Sequence, residues 1–204
     1  MKYSSKTLEK AVEALNSLPS IGKKSALRLA LHLAANTGDK KQRIIESLNA
    51  LTHDLKSCEI CNNYSDTTIC DICTDPVRNK RQICVVETVK DVMAIENTQQ
   101  YSGVYHILGG VISPLEGVGP EDLLIDNLIQ RISNGNVEEL IMAISPTIEG
   151  ETTIYYISKL LNDKVQISAI ARGVSFGGEL EYADELTLGR SIHSRTNYNK
   201  ELSL

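Results

Sequence analysis

Four cysteines carry the clearest chemistry in this sequence, because they stand as two Cys-x-x-Cys pairs. Cys58 and Cys61 form the first pair, Cys70 and Cys73 form the second, and eight residues separate the pairs. Each pair can bend around one ion, and this spacing is typical of a tetrahedral structural zinc site. Four thiolates leave no position for water, so such a site would hold structure and would not catalyse. The alternatives are two disulfides or four unrelated buried thiols, whereas the zinc hypothesis predicts one zinc ion per chain.

The rest of the chain must fold around this module, and its 204 residues suffice for one or two domains. A hydrophobic content of 42% and a charged content of 23% are typical of a globular protein. No apolar run reaches the roughly 18 residues that a membrane span needs. The first residues lead into no apolar signal core, and metal-spaced cysteines suit a reducing compartment, so we expect a cytoplasmic protein. The fifth cysteine, Cys84, lies in an apolar run and is expected to be a buried strand residue.

The net charge of −5 conceals an asymmetry along the chain. Residues 1–60 carry ten Lys or Arg against six Asp or Glu, a balance of +4, and residues 61–204 carry eleven against twenty, a balance of −9. The basic first quarter could contact a polyanion, and the acidic remainder could contact a protein partner. Ordinary solvated surface is the alternative, and charge alone does not decide between the two.

The periodicity of apolar residues divides the chain into a helical part and an alternating part. Apolar positions three and four residues apart predict three N-terminal helices, at 6–16, 24–35 and 40–55. A basic linker at 78–81 is expected to follow the cysteines. Strands are then predicted to alternate with helices, which implies a parallel sheet with covering helices. The predicted strands are 83–87, 105–108, 139–144 and 165–171, and the predicted helices are 91–98, 120 to about 135, 150–161 and 181–192.

The turn between the first two helices is the second candidate site. It places Gly22 at the start of a helix, where main-chain N–H groups can face a phosphate. Lys23 and Lys24 follow at once, and Arg28 lies one turn later, so these three residues are the candidate DNA ligands. The turn resembles the helix-hairpin-helix motif, which binds the DNA backbone without reading bases. Ser20 stands where that motif usually has a glycine, and an ordinary turn with solvated lysines is the alternative.

Carboxylates at the ends of two predicted strands form the third candidate site. The carboxyl ends of parallel strands are where open α/β sheets collect functional groups. The arrangement resembles a Toprim domain, whose active members hold magnesium with a glutamate and an acid-x-acid pair. Glu87 matches the glutamate, but Ser145 and Thr147 stand at the paired acids. Magnesium favours carboxylate ligands, so we expect the catalytic metal site to be lost or much weakened.

Taken together, these motifs resemble the RecR family of recombination mediators along nearly the whole chain. Further matching segments are Tyr105-His-Ile-Leu-Gly-Gly110, Pro146-Thr-Ile-Glu-Gly-Glu151 and Leu180-Glu-Tyr-Ala-Asp-Glu185. The resemblance implies an α/β chain of four parts. These are an N-terminal helix-hairpin-helix domain (1–57), a C4 zinc finger (58–73), a parallel Toprim domain (81–176) and a C-terminal helix with its tail (177–204).

The same resemblance implies a function that the residues alone do not supply. Proteins of this family form rings, here expected to be a homotetramer, that can encircle duplex DNA. They act with RecO, and in many bacteria with RecF, to load RecA at single-stranded gaps, and they catalyse nothing. By position, the hairpin cations would contact DNA, and an acidic cluster of Glu87, Glu149 and Glu151 would face a basic partner such as RecO.

Two other functions remain open at this point. A Toprim nuclease or primase-like enzyme with an unusual metal site would cleave or extend DNA in the presence of magnesium. A zinc-stapled scaffold that binds only protein would show no salt-dependent binding to DNA. The missing acids at Ser145 and Thr147 favour the non-enzymatic mediator over the enzyme.

Overall fold

The computed structural model describes Tyr3 and residues 5–35, 38–162, 164–174 and 177–195. Within them the chain forms two compact units, residues 1–56 and 57–204. Residues 196–204 of the predicted tail lie outside this description. None of the described helices combines the length and the apolar character that a bilayer crossing requires.

The first unit is helical, as the apolar periodicity predicts. It consists of α1 (Lys6–Asn16), α2 (Lys23–Ala35) and α3 (Asp39–His53). The side chain of Ser5 caps α1 by accepting from the amide of Thr7, which satisfies a main-chain donor with no partner inside the helix. Helices α1 and α2 enclose a small core around Val12, Ala26 and Ala30, whose short side chains let the helices approach closely.

Helix α3 differs from the other two helices because none of its residues is buried. Four of its large aliphatic side chains are exposed by 43% to 58% of their surface. These residues are Ile44, Ile45, Leu48 and Leu51. Ile44, Leu48 and Leu51 lie three or four residues apart and therefore form one apolar stripe along the helix. A helix that exposes so many aliphatic side chains lacks a partner for that face among the described residues.

The second unit begins with the cysteine module and continues into a four-stranded parallel sheet. The module contains the two short strands β1 (Lys56–Ser57) and β2 (Tyr64–Ser65) and the short helix α4 (Asp71–Thr74). The sheet has the order β4-β3-β5-β6, and all of its pairs are parallel. Its strands are β3 (Asn79–Val86), β4 (Gly103–Ile107), β5 (Glu139–Ala143) and β6 (Gln166–Ala169). The predicted parallel α/β arrangement is therefore confirmed.

Apolar side chains on both faces of the central strands explain why helices cover the sheet on both sides. Ile83 and Val85 of β3 face a core shared with α6 (Ile125–Asn134) and α7 (Ile148–Leu161). Cys84 and Val86, the alternate residues, face a second core that contains Val92 of α5 (Val89–Asn97). Side chains alternate along a strand, so the continuous apolar run 83–86 of β3 must be covered on both faces. Cys84 is a buried strand residue, as predicted.

Two predicted helices begin four or five residues later in the structure, a larger shift than the starts of the other helices show. The helix predicted from Pro120 is a 3-10 turn at Pro120–Asp122, and α6 begins only at Ile125. The break arises because the amide of Leu124 donates to the carbonyl of Leu108 at 2.9 Å instead of joining a continuous helix. The last helix, α8 (Glu185–His193), starts later than predicted because the carboxylate of Asp184 accepts from the amide of Thr187 and caps it.

The prediction of a basic linker at 78–81 is wrong. Residues 79–81 belong to β3, and Arg78 is half-buried against α5. Its two terminal guanidinium nitrogens donate to the two carboxylate oxygens of Glu96, at 2.9 and 2.5 Å, and the Tyr105 hydroxyl donates to the same carboxylate at 2.6 Å. The hydrogen bonds from Arg78 lower the pKa of Glu96 below its usual value. Arg81 forms an ion pair with Glu138. The two hydrogen bonds of Arg78 therefore tie the start of β3 to α5, whereas the Arg81 pair lies at the exposed surface.

Candidate metal centre and nucleic-acid interface

The four cysteines of the predicted zinc site converge in the second unit. All four are buried, with at most 6% of their surface exposed. Their sulfur atoms lie within 4.8 Å of one another, and the Sγ atoms of Cys61 and Cys70 are 3.5 Å apart. Zinc–sulfur bonds of about 2.3 Å would place tetrahedral sulfurs about 3.8 Å apart, so the group has the size that one zinc ion requires. In the described residues no other cluster of three or more His, Cys, Asp or Glu could hold a metal.

Main-chain geometry around the cysteines shapes the first pair into a tight turn. The amide of Asn62 donates to the carbonyl of Cys58 at 2.9 Å, and Asn62 adopts a φ of 63°, which asparagine tolerates better than most residues. The amide of Cys70 donates to the sulfur of Cys58 at 3.3 Å. A donor aimed at sulfur favours the thiolate, which is the form that binds a metal.

Burial and neighbouring thiols raise the pKa of Cys61 and Cys70, whereas main-chain donors lower that of Cys58. A side-chain hydrogen bond with Cys73 and burial raise the pKa of Cys61. Burial raises the pKa of Cys70 to about 11. For Cys58 burial acts in the same direction, but main-chain N–H groups, that of Cys70 first, lower the pKa to about 7. A divalent cation would displace the remaining protons and supply the folding free energy of this short module.

The three candidate DNA ligands lie at the start of α2, on its surface. Lys23 and Lys24 form the first turn of α2, Arg28 lies one turn later, and all three are exposed. No acidic residue in the described ranges forms an ion pair with them. The turn keeps the left-handed residue that the motif needs, because Ser20 adopts a φ of 63°. The serine therefore leaves the shape of the turn intact at a cost in local strain.

Replacing Ser20 by glycine is expected to stabilise the first unit. Glycine adopts a φ of 63° without the clash of a Cβ atom, and its greater freedom in the unfolded chain offsets part of this gain. We expect Ser20→Gly to raise the free energy of unfolding by about 0.5–1 kcal/mol in urea denaturation. Ser17→Gly is the matched control, because Ser17 has a φ of −74° and the same change should destabilise there. Equal effects of the two substitutions would contradict the strain at Ser20.

The structure does not bring the three candidate acids together as one metal-binding group. Glu87 follows β3 and its Oε1 accepts from the amide of Ser145 at 2.6 Å. Glu151 forms an ion pair with Arg172, which follows β6. Glu149 is half-buried near the start of α7. Each carboxylate therefore has its own surroundings.

Ser145 and Thr147, which stand where an active Toprim domain has its paired acids, take part in hydrogen bonds that involve the main chain. The side chain of Thr147 caps α7 by accepting from the amide of Gly150 at 3.0 Å. Ser145 is held through its amide by Glu87. Hydrogen bonds therefore fix the loop after β5. At the same positions an active Toprim domain would have acidic side chains that bind a metal ion.

Comparison with known proteins gives the same order of parts. Family models match residues 8–52 as the RecR helix-hairpin-helix, 55–75 as the RecR four-cysteine zinc finger, 81–171 as a Toprim domain and 173–196 as the RecR C-terminal region. A protein of Flavobacterium johnsoniae named "Recombination protein RecR" is 52% identical over 201 residues, 98% of each chain. The chain belongs to the RecR family.

Two further relatives support the assignment to the RecR family. The "Recombination protein RecR" of Amoebophilus asiaticus is 51% identical over 98% of this chain and all of its own length. A relative of the same name from Porphyromonas gingivalis is 48% identical over 97% of this chain. The match to the RecR zinc finger and the four converging cysteines confirm the predicted structural zinc, one ion per chain.

Polar links that the sequence does not indicate join the zinc module and α6 to β4. The amide of Ile107 at the end of β4 donates to the carbonyl of Cys61 at 2.9 Å, and Asn62 donates to the carbonyl of Ile107 at 3.3 Å. Arg131 of α6 donates to the carbonyl of Tyr105 at 2.6 Å. These contacts join residues 26 to 46 positions apart, so no local pattern could reveal them.

Proposed function

We propose that this chain is a non-catalytic mediator of DNA recombination and repair that binds the DNA backbone through its hairpin. Three exposed cations at the start of α2 carry the proposal, and no acid of the described ranges pairs with them. They are Lys23, Lys24 and Arg28. The free N–H groups of the first helical turn add positive partial charge at the same place. Lysines on a phosphate-facing turn position a duplex without reading bases, so the contact is expected to be independent of sequence.

Removing two of these cations tests the DNA contact. We expect Lys23→Ala combined with Lys24→Ala to weaken binding to gapped duplex DNA by on the order of tenfold in fluorescence anisotropy. The slope of log affinity against log salt concentration should also fall by about two, because two phosphate contacts are lost. Zinc content should stay the same, since the module lies in the other unit.

Lys159→Ala combined with Lys164→Ala is the matched control, because it removes the same charge from the second unit. An unchanged affinity and salt slope for the hairpin variant would remove Lys23 and Lys24 from the DNA contact. The same DNA, incubated with magnesium, tests the enzymatic alternative. Metal-dependent cleavage that Glu87→Ala abolishes would contradict the non-catalytic function.

The acidic residues around the loop after β5 are proposed to face a basic partner such as RecO, and RecF where it is used. Among the described residues neither Glu87 nor Glu149 forms an ion pair. Glu87 and Glu151 engage Ser145 and Arg172 and would position the loop for that partner. Together with the hairpin, such a surface would let the protein bring RecA and DNA together in the cytoplasm.

Self-association into a ring, proposed to be a tetramer, is supported by the exposed aliphatic face of α3. We expect Leu48→Glu to reduce the oligomer measured by light scattering, because Leu48 is 57% exposed in the single chain and a charge would not be buried at an interface. Asn49→Glu, one position along the same exposed helix, is the matched control and should leave the mass unchanged. An unchanged mass for Leu48→Glu would exclude this face of α3 from the ring contacts.

A further inference from the structure

The two edge strands of the sheet in the second unit, β4 and β6, differ in whether their outward main-chain N–H and C=O groups have hydrogen-bond partners. The amide of Leu108 donates to Val86, so the alternate residues of β4, Gly103, Tyr105 and Ile107, direct their main-chain groups away from β3. Four of these groups have partners at 2.6 to 3.3 Å. Those partners are Arg78, Arg131, Cys61 and Asn62. The zinc module and two arginines therefore cover the β4 edge.

In the part of the chain that the structure describes, the β6 edge has no such cover. The amides of Gln166 and Ile170 donate to the carbonyls of Glu138 and Met142, at 3.1 and 3.3 Å, so the N–H and C=O groups of Ile167 and Ala169 point outward. Across the described ranges no hydrogen bond to these outward groups is found. Strand β6 also lacks the proline, bulge or charged residue that commonly protects an edge, since its sequence is Gln-Ile-Ser-Ala.

A groove of about 1030 Å³ lies beside the amino half of β6, between this strand and α7. Lys159 and Lys164 line it, and the ammonium group of Lys159 lies 5.4 Å from the ring centroid of Tyr155, which is 62% exposed. Glu138 also lines the groove, but its charge is offset by the ion pair with Arg81. The groove therefore combines an aromatic surface with an excess of positive charge.

We propose that the β6 edge binds an extended, acidic segment of a partner protein, which adds as a further strand of the sheet. The outward groups of Ile167 and Ala169 supply main-chain hydrogen bonds, and the side chains of the groove select the segment. Alternate carboxylates of the segment would face Lys159 and Lys164, and its apolar residues would contact Tyr155. A second copy of this chain fits less well, because pairing two β6 edges would bring two lysine-lined grooves to one junction.

A proline at position 169 tests the main-chain part of this proposal without breaking the sheet. The amide of Ala169 points away from β5, so Ala169→Pro removes an outward donor and spares the ladder. The probe is a fluorescent peptide of about ten residues with alternating valine and glutamate, added to the full-length, zinc-bound protein. We expect Ala169→Pro to weaken its binding at least about tenfold, with circular dichroism and zinc content unchanged.

A charge-reversal variant and a lysine-containing control peptide test the contribution of the two lysines to this binding. Lys159→Glu combined with Lys164→Glu should weaken binding of the valine–glutamate peptide at least about tenfold. A valine–lysine peptide should bind the unsubstituted protein poorly. Hydrogen exchange should show protection of the Ile167 and Ala169 amides only with the glutamate peptide. The proposal would be overturned if the glutamate peptide did not bind detectably, or if it bound Ala169→Pro as tightly as the unsubstituted protein. Equal affinity of the unsubstituted protein for the two peptides would also overturn it. Protection that rises with protein concentration alone would identify a second copy as the occupant and overturn it equally.

Discussion

Cys61→Ala is expected to abolish zinc binding and to lower the stability of the second unit by several kcal/mol. Structural zinc sites contribute on the order of 10 kcal/mol to folding, and three thiols cannot complete the tetrahedron. The effect should extend beyond the module, because its main chain at Cys61 and Asn62 holds the end of β4. Elemental analysis should show loss of the ion, and hydrogen exchange at Ile107 should become faster.

Cys84→Ala provides the control for this loss. Cys84 is also a buried thiol, but it lies on β3 between apolar side chains, and burial raises its pKa to about 12. Its replacement should cost about 1 kcal/mol and leave one zinc ion per chain. If Cys61→Ala retained stoichiometric zinc and the same thermal stability, the four-cysteine site would be wrong.

Gly150→Ala is expected to lower the free energy of unfolding of the second unit by about 3 kcal/mol. A Cβ atom at this position would overlap the carbonyl oxygen of Ser145 and approach the Cγ2 of Ile144 to 3.1 Å. Since these atoms belong to the backbone and the core, they cannot move aside cheaply. The displaced loop should also lose the hydrogen bond between Glu87 and Ser145 and the cap from Thr147. Chemical denaturation measures the change.

Gly189→Ala is the matched substitution, because Gly189 lies within α8 and nothing would meet its Cβ atom within 4 Å among the described residues. Alanine favours the helix there, so this variant should be stabilised by up to about 1 kcal/mol. A loss for Gly150→Ala no greater than about 0.5 kcal/mol would show that the loop after β5 is not packed as described.

The sequence predicted those parts of the protein that depend on near neighbours. Two Cys-x-x-Cys pairs identify a metal module because both ends of each chelate lie within one turn of chain. The same holds for the hairpin, where Ser20, Gly22 and the following lysines are close together in the sequence. Apolar periodicity located the helices and strands, although caps such as Asp184 set where α8 begins.

The tertiary structure decided the pairing of residues that are distant in sequence. Arg78 looked like part of a solvated linker, but the fold brings it to Glu96 and Tyr105, where it is half-buried. Glu87 matched a magnesium ligand by position, but the sheet places it against the amide of Ser145, 58 residues away.

Residue types and spacing alone therefore indicate the zinc ligands, the position of the hairpin turn and most of the helices and strands. Only the fold decided which sheet edge is covered and which stays open, because main-chain hydrogen bonds between strands carry no signature in the side chains. The cover of β4 by Asn62 and Arg131 and the open edge at Ile167 and Ala169 are examples within the described residues. Both depend on which distant segments the fold brings to each edge, and no local pattern of side chains encodes that.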